Sequence, residues 1–219
     1  MPILTIASSK GGVGKTVVAE ILVAQLAADG CRIAVLDADP NRALSGWLAD
    51  VYEGPPPVEV IAEADETRVA LAMPALSATA DSLIIDTAGF ASLAASVAMT
   101  GADAVLVPVL PGRADLVEAE RTVQRAESLA RAARREVPVR VVANRVRRGT
   151  SLSKHALSQA EDLRLPRLTT ALSDLVGHGE IGFTGRLPGS SLALEEIAAL
   201  VAELRQLGWI PEALVRAIV

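Results

Sequence analysis

Lys10-Gly11-Gly12-Val13-Gly14-Lys15-Thr16 stands between an apolar run over 3–8 and a longer one over 17–28. The first has the length of a buried strand, the second that of a helix. A glycine-rich turn between a strand and a helix is a phosphate cradle. Glycines let consecutive backbone N–H groups turn inward, and the helix N-terminus adds the positive end of its dipole. Lys15 is placed to reach β- and γ-phosphates, and the Thr16 hydroxyl to hold Mg²⁺. The spacing is that of G-x-x-x-x-G-K-[ST], with Ser9 at the first glycine position. Lys10 adds a second lysine at the mouth of the loop.

Two further runs end in carboxylates. Residues 32–36 are apolar after Arg32 and lead into Asp37-Ala38-Asp39-Pro40; residues 82–86 run apolar into Asp86, followed by Thr87-Ala88-Gly89. Carboxylates at the C-terminal ends of parallel strands point into the crevice where α/β sheets bind ligands. Asp86 therefore reads as a Mg²⁺ group, acting directly or through the water shell of a cation on Thr16. Asp39-Pro40 also reads as the start of a turn that leads into a helix near 43–48.

The loop K-G-G-x-G-K-T resembles the deviant Walker A motif of the ParA/MinD family of P-loop ATPases. The resemblance implies that Lys10 crosses a dimer interface to the partner's nucleotide while Lys15 serves its own. It implies ATP and Mg²⁺ as cofactors, held by the loop from Lys10 through Gly11, Gly12, Val13, Gly14, Lys15 and Thr16 to Val17. Asp37-Ala38-Asp39-Pro40 resembles switch I, so that Asp37 supports the Mg²⁺ shell and Asp39 orients water. Asp86 and Gly89 fit the D-x-x-G of switch II. Asn144, after a run at 137–143, resembles the adenine-contacting position, and Leu187-Pro188 is a second adenine candidate.

Composition bounds the fold. The chain has 219 residues, 51% of them hydrophobic but only 2% aromatic. A core of Ala, Val, Leu and Ile suits a mostly parallel sheet covered by helices on both faces, an α/β P-loop NTPase architecture. One domain over 1–219 with an apolar tail at 208–219 is expected. Further strands are expected at 58–61, at 104–109, closed by Pro108 and Pro111, and at 167–171, and helices at 66–76, 116–135, 151–163 and 192–207. Gly54-Pro55-Pro56-Pro57 reads as a surface loop, and 177–189 as a glycine-rich one in which His178 has no evident partner. Glu118, Glu120, Arg121 and Arg125 read as a solvated helix face, and Ser151 as a helix N-cap.

The single cysteine, Cys31, excludes an intrachain disulfide and a Cys₄ metal site. It also disfavours the cluster-bearing relatives, which need two cysteines per chain. No secretory signal or membrane-length apolar run is visible, so a cytoplasmic protein is expected.

Net charge is −5, unevenly spread. Residues 131–167 carry ten basic side chains against three acidic ones, leaving −12 on the rest of the chain. One basic face on an acidic body is expected. Arg145, Arg147, Arg148, Lys154, Arg164 and Arg167 are its candidates for holding the phosphates of duplex DNA without reading bases. No aromatics interleave with them, which argues against stacking on single strands.

The resemblance then implies a slow ATPase that forms a homodimer around ATP and binds nucleoid DNA non-specifically. Such proteins segregate or position a plasmid, chromosome or protein cargo, with hydrolysis stimulated by a ParB-like or adaptor partner. Two other classes stay open. A MinD-like membrane ATPase would need a lysine- and arginine-rich tail helix, whereas this tail offers Arg216 against Glu212. A small-molecule ATP-dependent ligase of the same superfamily has no use for Lys10 or the arginine cluster. A tyrosine kinase of the superfamily needs a tyrosine cluster, and the chain has only Tyr52.

Overall fold

The computed structural model describes residues 1–57, 59–89 and 92–213. The elements run β1 (Ile3–Ile6), α1 (Lys15–Ala28), β2 (Ile33–Ala38), α2 (Ala43–Asp50), β3 (Glu59–Ala62), α3 (Glu66–Thr79), β4 (Ser82–Thr87) and α4 (Leu93–Gly101). They continue β5 (Ala104–Val109), α5 (Arg113–Ala132), β6 (Val139–Val146), α6 (Ser151–Asp162), β7 (Arg167–Ser173), α7 (Val176–Thr184) and α8 (Ser191–Gln206). The strands form one seven-stranded sheet of order β3-β2-β4-β1-β5-β6-β7. Every pairing is parallel.

Alternation along the strands explains the two-faced core. Ile33 and Val35 of β2 join Ile84 of β4 under α1, while Ala34 and Leu36 join Leu83 and Ile85 under α3 and α4. Val105 and Val107 of β5 pack with Val139 and Val141 beneath α5 and α6. With both faces covered, the strands read as unbroken apolar runs, as parallel strands must. α1 is buried almost all round, which is why its sequence shows no polar stripe. Gly30, at φ +85°, ends it by donating its N–H to Ala27 O, a left-handed stop that suits glycine.

β1 lies at the centre, between β4 and β5. The chain leaves it toward β2 on one side and later builds β5 to β7 on the other. Strand order reverses there, and the crevice at the carboxyl ends opens beside the Lys10–Thr16 loop.

The structure differs from the sequence reading in five places. The stretch expected as a glycine-rich loop holds α7, whose glycines permit close packing: a Cβ on Gly177 would lie 3.1 Å from the Ala193 Cβ of α8. α4 had no counterpart in the sequence reading. Thr150, not Ser151, caps α6, its hydroxyl accepting from Ser153 N. Pro108 lies inside β5 rather than closing it, at the penultimate residue, so only one ladder donor is lost. β6 runs on through Asn144 to Val146 with register shifts against β7. Arg145 takes a left-handed φ of 52° there, an irregularity of the kind that re-aims side chains beside functional sites.

The start of the 208–219 tail packs on the chain's own core. Trp209 and Ile210 are buried, and Arg205 Nε donates to Pro211 O. Residues 214–219 lie outside the described residues.

Candidate nucleotide site

The loop after β1 is held from three sides. Gly12 and Gly14 have φ of +77° and +92°, values that strain any residue with a side chain. The segment after β4 presses against the loop: a Cβ on Gly89 would lie 2.7 Å from Gly11 Cα and 3.2 Å from Lys15 Nζ. Asn144 closes the third side, its amide donating to Val13 O at 2.9 Å. Its Nδ2 would stand 2.2 Å from a Cβ on Gly14. Gly89 is thus required by its approach to backbone, and Gly14 by its left-handed φ with the Asn144 amide against it.

The two lysines are placed differently. Lys15 is buried, and that burial lowers its pKa, an effect partly opposed by Asp86 and Asp39. Lys10 stands at the rim with its side chain 39% exposed, its ammonium 2.7 Å from Asp115 Oδ1 on α5. The contact is an ion pair without the alignment of a hydrogen bond. Ser9, in the first glycine position, is tied to the same helix. Its N–H donates to Thr122 Oγ1 at 3.1 Å and its hydroxyl to Glu118 Oε2 at 2.9 Å. Glu118 is therefore part of the loop's support and not merely of a solvated face, and the Ser9 hydroxyl and Arg121 hold its pKa down. Arg125 likewise reaches inward, donating to Ser96 Oγ.

The carboxylates converge as their strand positions dictate. Asp37 and Asp86 are register partners on β2 and β4, both fully buried. Thr16 Oγ1 donates to Asp86 Oδ2 at 2.8 Å, and Asp86 Oδ1 has no partner among the described residues. Burial, with Asp37 and Asp39 adding to it, pushes Asp86 up to about 7 against the hydrogen bond from Thr16. A hydroxyl, an orphaned carboxylate oxygen and a second carboxylate are a hard oxygen set that fits Mg²⁺. Asp37 is already engaged: it accepts from Asp39 N, and from both N and Oγ of Ser45 at 2.8 and 2.9 Å. Asp39 accepts from Asn41 N and shapes the turn into α2.

Beside the loop a cleft of about 460 Å³ is lined by Val17, Asn144, Arg145, Ser173, Asp174 and His178, among others. It brings Asn144 and Val17 together with the β7–α7 segment, which the sequence reading did not single out. Leu187 and Pro188 line a neighbouring cleft of about 610 Å³ with Asp50, Glu53 and Arg186, which shares Glu180 and Phe183 with the first. His178, read from sequence as an unpartnered loop residue, is buried in α7. Its Nδ1 lies 3.0 Å from Ser173 O and its Nε2 3.5 Å from Glu196 Oε2.

Residues 4–177 match the CobQ/CobB/MinD/ParA nucleotide binding domain. The chain belongs to this family. Protein ParA of Rhizobium radiobacter is 34% identical over 124 residues, 57% of this chain and 55% of the relative, so the match spans about half the relative's length. McdA(D38A) of Cyanothece, solved as an ATP complex, superimposes with TM-score 0.79 at 18% identity over 99% of each chain. MinD of Pyrococcus horikoshii, complexed with Mg-ADP, gives 0.74 at 19% identity, over 94% of this chain and 97% of that one. At such identities the structural matches establish the fold.

Against this ParA/MinD-type frame, the six basic candidates do not lie together. α6 runs antiparallel to the strands, from the carboxyl end of β6 to the amino end of β7. Lys154 in its first turn therefore sits with Arg145, Arg147 and Arg148 near the cleft. Arg164 and Arg167 lie at the opposite end of the sheet, about 18 Å away along a helix of 12 residues. Arg147 pairs with Asp174 and Arg148 with Glu196. Among the described residues no helix is long and apolar enough to cross a membrane.

Proposed function

We propose that this chain is a ParA-type ATPase that closes into a homodimer around ATP, holds duplex DNA non-specifically in that state, and positions a cargo. The observation that carries the reading is the division of labour between the two lysines. Lys15 is buried between the loop, Asp86 and Gly89, where it serves the chain's own phosphates. Lys10 is held at the rim, where its charge is available to a facing copy.

The reaction is in-line attack of water on the γ-phosphoryl of ATP, in which position and charge stabilisation do most of the work. The loop amides and Lys15 hold the phosphate oxygens. Thr16 and Asp86, with Asp37 behind them, would hold Mg²⁺, which would supply positive charge against the phosphate oxygens. Asp39, at the turn into α2, orients the attacking water. Lys10 of the second subunit adds positive charge where the phosphoryl group leaves, so a lone subunit hydrolyses slowly and ATP acts as glue between copies.

The upper basic group, Arg145, Arg147, Arg148 and Lys154, is the DNA surface of this reading. Arg164 and Arg167 are too distant to share its phosphates. Hydrolysis, stimulated by a ParB-like or adaptor protein, separates the dimer and releases it from nucleoid DNA, as a cytoplasmic positioning device requires.

The decisive experiment is binding to random-sequence duplex DNA at fixed modest salt, with ATP, with ADP, and for Lys10→Ala in ATP. Binding in ATP alone, lost in the variant, is the expected result. Equal binding in all three, or none in any, refutes the nucleotide-gated dimer.

A further inference from the structure

Among the described residues, four besides glycine take a left-handed backbone: Arg42, Arg134, Arg145 and Arg164, with φ between 51° and 54°. Such values are uncommon for a residue with a side chain. Arg134 and Arg164 end helices. Arg134 N donates to Arg131 O and Arg164 N to Glu161 O, while Arg135 N and Leu165 N reach back to Ala130 O and Ala160 O. That closure suits a left-handed residue at a helix end. Arg145 lies in the irregular end of β6. Neither cause applies to Arg42. It begins α2, with φ 53° and ψ 38°, where an extended residue with a capping side chain is the rule. Its side chain caps nothing. Asp37 takes that role from β2, accepting from Ser45 N at 2.8 Å.

The Arg42 side chain is exposed and makes no hydrogen bond or ion pair among the described residues. Its backbone, by contrast, is fixed to the site. Arg42 N donates to Asp39 O at 2.9 Å, and Arg42 O accepts from Gly46 N at 2.9 Å. Asp39 in turn lies close enough to Lys15 to oppose the fall of its pKa. The site is also short of positive charge. Asp37, Asp39 and Asp86 face it with Lys15 as the buried cation, and Lys10 is held by Asp115. A nucleoside triphosphate adds more negative charge than one Mg²⁺ cancels. A guanidinium is a planar fork that fits phosphate oxygens, and no contact of Arg42 must open before it turns inward. A strained residue that neither backbone nor capping explains, set beside a reaction site, points to function.

We infer that Arg42 is a catalytic residue, whose guanidinium closes on the γ-phosphoryl oxygens of the nucleotide in its own subunit and stabilises the charge of the transition state. As the water oxygen bonds to the γ-phosphorus, the bond to the bridging oxygen breaks. ADP carries away that electron pair, one water proton stays on the phosphate, and the other passes to solvent. Arg42 itself forms and breaks no covalent bond. It supplies in cis a charge that a lone subunit otherwise lacks, so basal hydrolysis depends on Arg42 before a facing Lys10 adds to it. The inference rests on the proposed reading of the site as an ATPase.

The test compares the unaltered protein with Arg42→Gly and Arg42→Lys. Glycine takes a left-handed φ freely, so nucleotide-free Arg42→Gly should melt at the same temperature as the parent or higher. Calorimetric titration then gives the affinity for Mg-ADP, with and without aluminium fluoride, which completes a mimic of the transferring phosphoryl group. All three proteins should hold Mg-ADP to within about twofold. Aluminium fluoride should tighten the parent's hold by about tenfold or more. Arg42→Gly should lose that gain, and Arg42→Lys should recover part of it, because an ammonium is a point charge without the fork. Basal kcat of Arg42→Gly should fall by about tenfold or more, with KM little changed. A full gain, or an unchanged kcat, in Arg42→Gly overturns the assignment alone. So does a fall in melting temperature or in Mg-ADP affinity that matches the loss, since that marks a structural residue. A parent protein that neither holds Mg-ADP nor hydrolyses ATP overturns the proposed function and the assignment with it.

Discussion

Lys10 Nζ stands 2.7 Å from Asp115 Oδ1, so the lysine at the mouth of the loop is held by its own subunit. If it is to reach a facing nucleotide, this contact must open. The pair is partly exposed, with Lys10 at 39%, and such pairs contribute up to about 1 kcal/mol. Asp115→Asn should therefore tighten the ATP-bound dimer by up to about fivefold. Sedimentation velocity with a non-hydrolysable analogue reads this directly. A dimer constant that is unchanged, or weaker, would show that Asp115 does not restrain the lysine.

Gly89 brings the segment after β4 against the loop, because an added Cβ would meet Gly11 Cα at 2.7 Å. Backbone gives way reluctantly, so Gly89→Ala should push the loop out of its cradle shape. Nucleotide affinity should fall at least tenfold while the melting temperature shifts by only a few degrees. Calorimetric titration with Mg-ADP and a thermal melt separate the two effects. Wild-type affinity in the variant would mean that the two segments move freely past each other.

The sequence was most legible where local chemistry and long-range order agree. A strand, a glycine-rich turn and a helix are adjacent in the chain, so the loop, Lys15 and Thr16 declare themselves. Asp37 and Asp86 end apolar runs, and parallel pairing alone brings them together. The losses have specific causes. The glycines of α7 are also loop signals, and only packing against α1 and α8 reveals why a helix needs them. α4 is built of small residues with no polar stripe. Asp115 and Glu196 sit on amphipathic helices where a buried acid looks like a solvated one. Glu20 did carry a signal, a lone charge in the apolar run of α1. The six basic candidates read as one face in the sequence because proximity along the chain hides the length of α6.

Glu20 is 6% exposed, with Oε2 unpartnered among the described residues, and Gly182 of α7 lies against it. Burial, with Asp86 adding to it, pushes its pKa up from 4.5 to about 7. The folded protein keeps a proton that the unfolded chain releases above its ordinary value. Stability is therefore lost as pH rises from about 4.5 to 7, and it stays lost above. Glu20→Gln should melt like the parent protein at pH 4.5 and be more stable at pH 8, by on the order of 2 kcal/mol. Equal melting of the two proteins across this range would rule out Glu20 as the source.

Asp86 combines a fully buried carboxylate, one oxygen bonded to Thr16, with a second oxygen that has no protein partner. Without a cation, that second oxygen costs stability, because burial pushes the group up to about 7 and opposes its charge at neutral pH. Asp86→Asn keeps an oxygen to accept from Thr16 and removes the charge. At pH 8 the nucleotide-free variant should match or exceed the parent in stability, by about 1 kcal/mol. With Mg²⁺ the order should reverse. Mg-ADP should raise the melting temperature of the parent far more than that of the variant, since only the carboxylate carries a charge that burial and the neighbouring Asp37 and Asp39 disfavour and that a cation would relieve. ADP with a chelator should stabilise both alike. A variant that keeps the full Mg-ADP shift would mean that Asp86 is a structural acid and that the cation is held elsewhere.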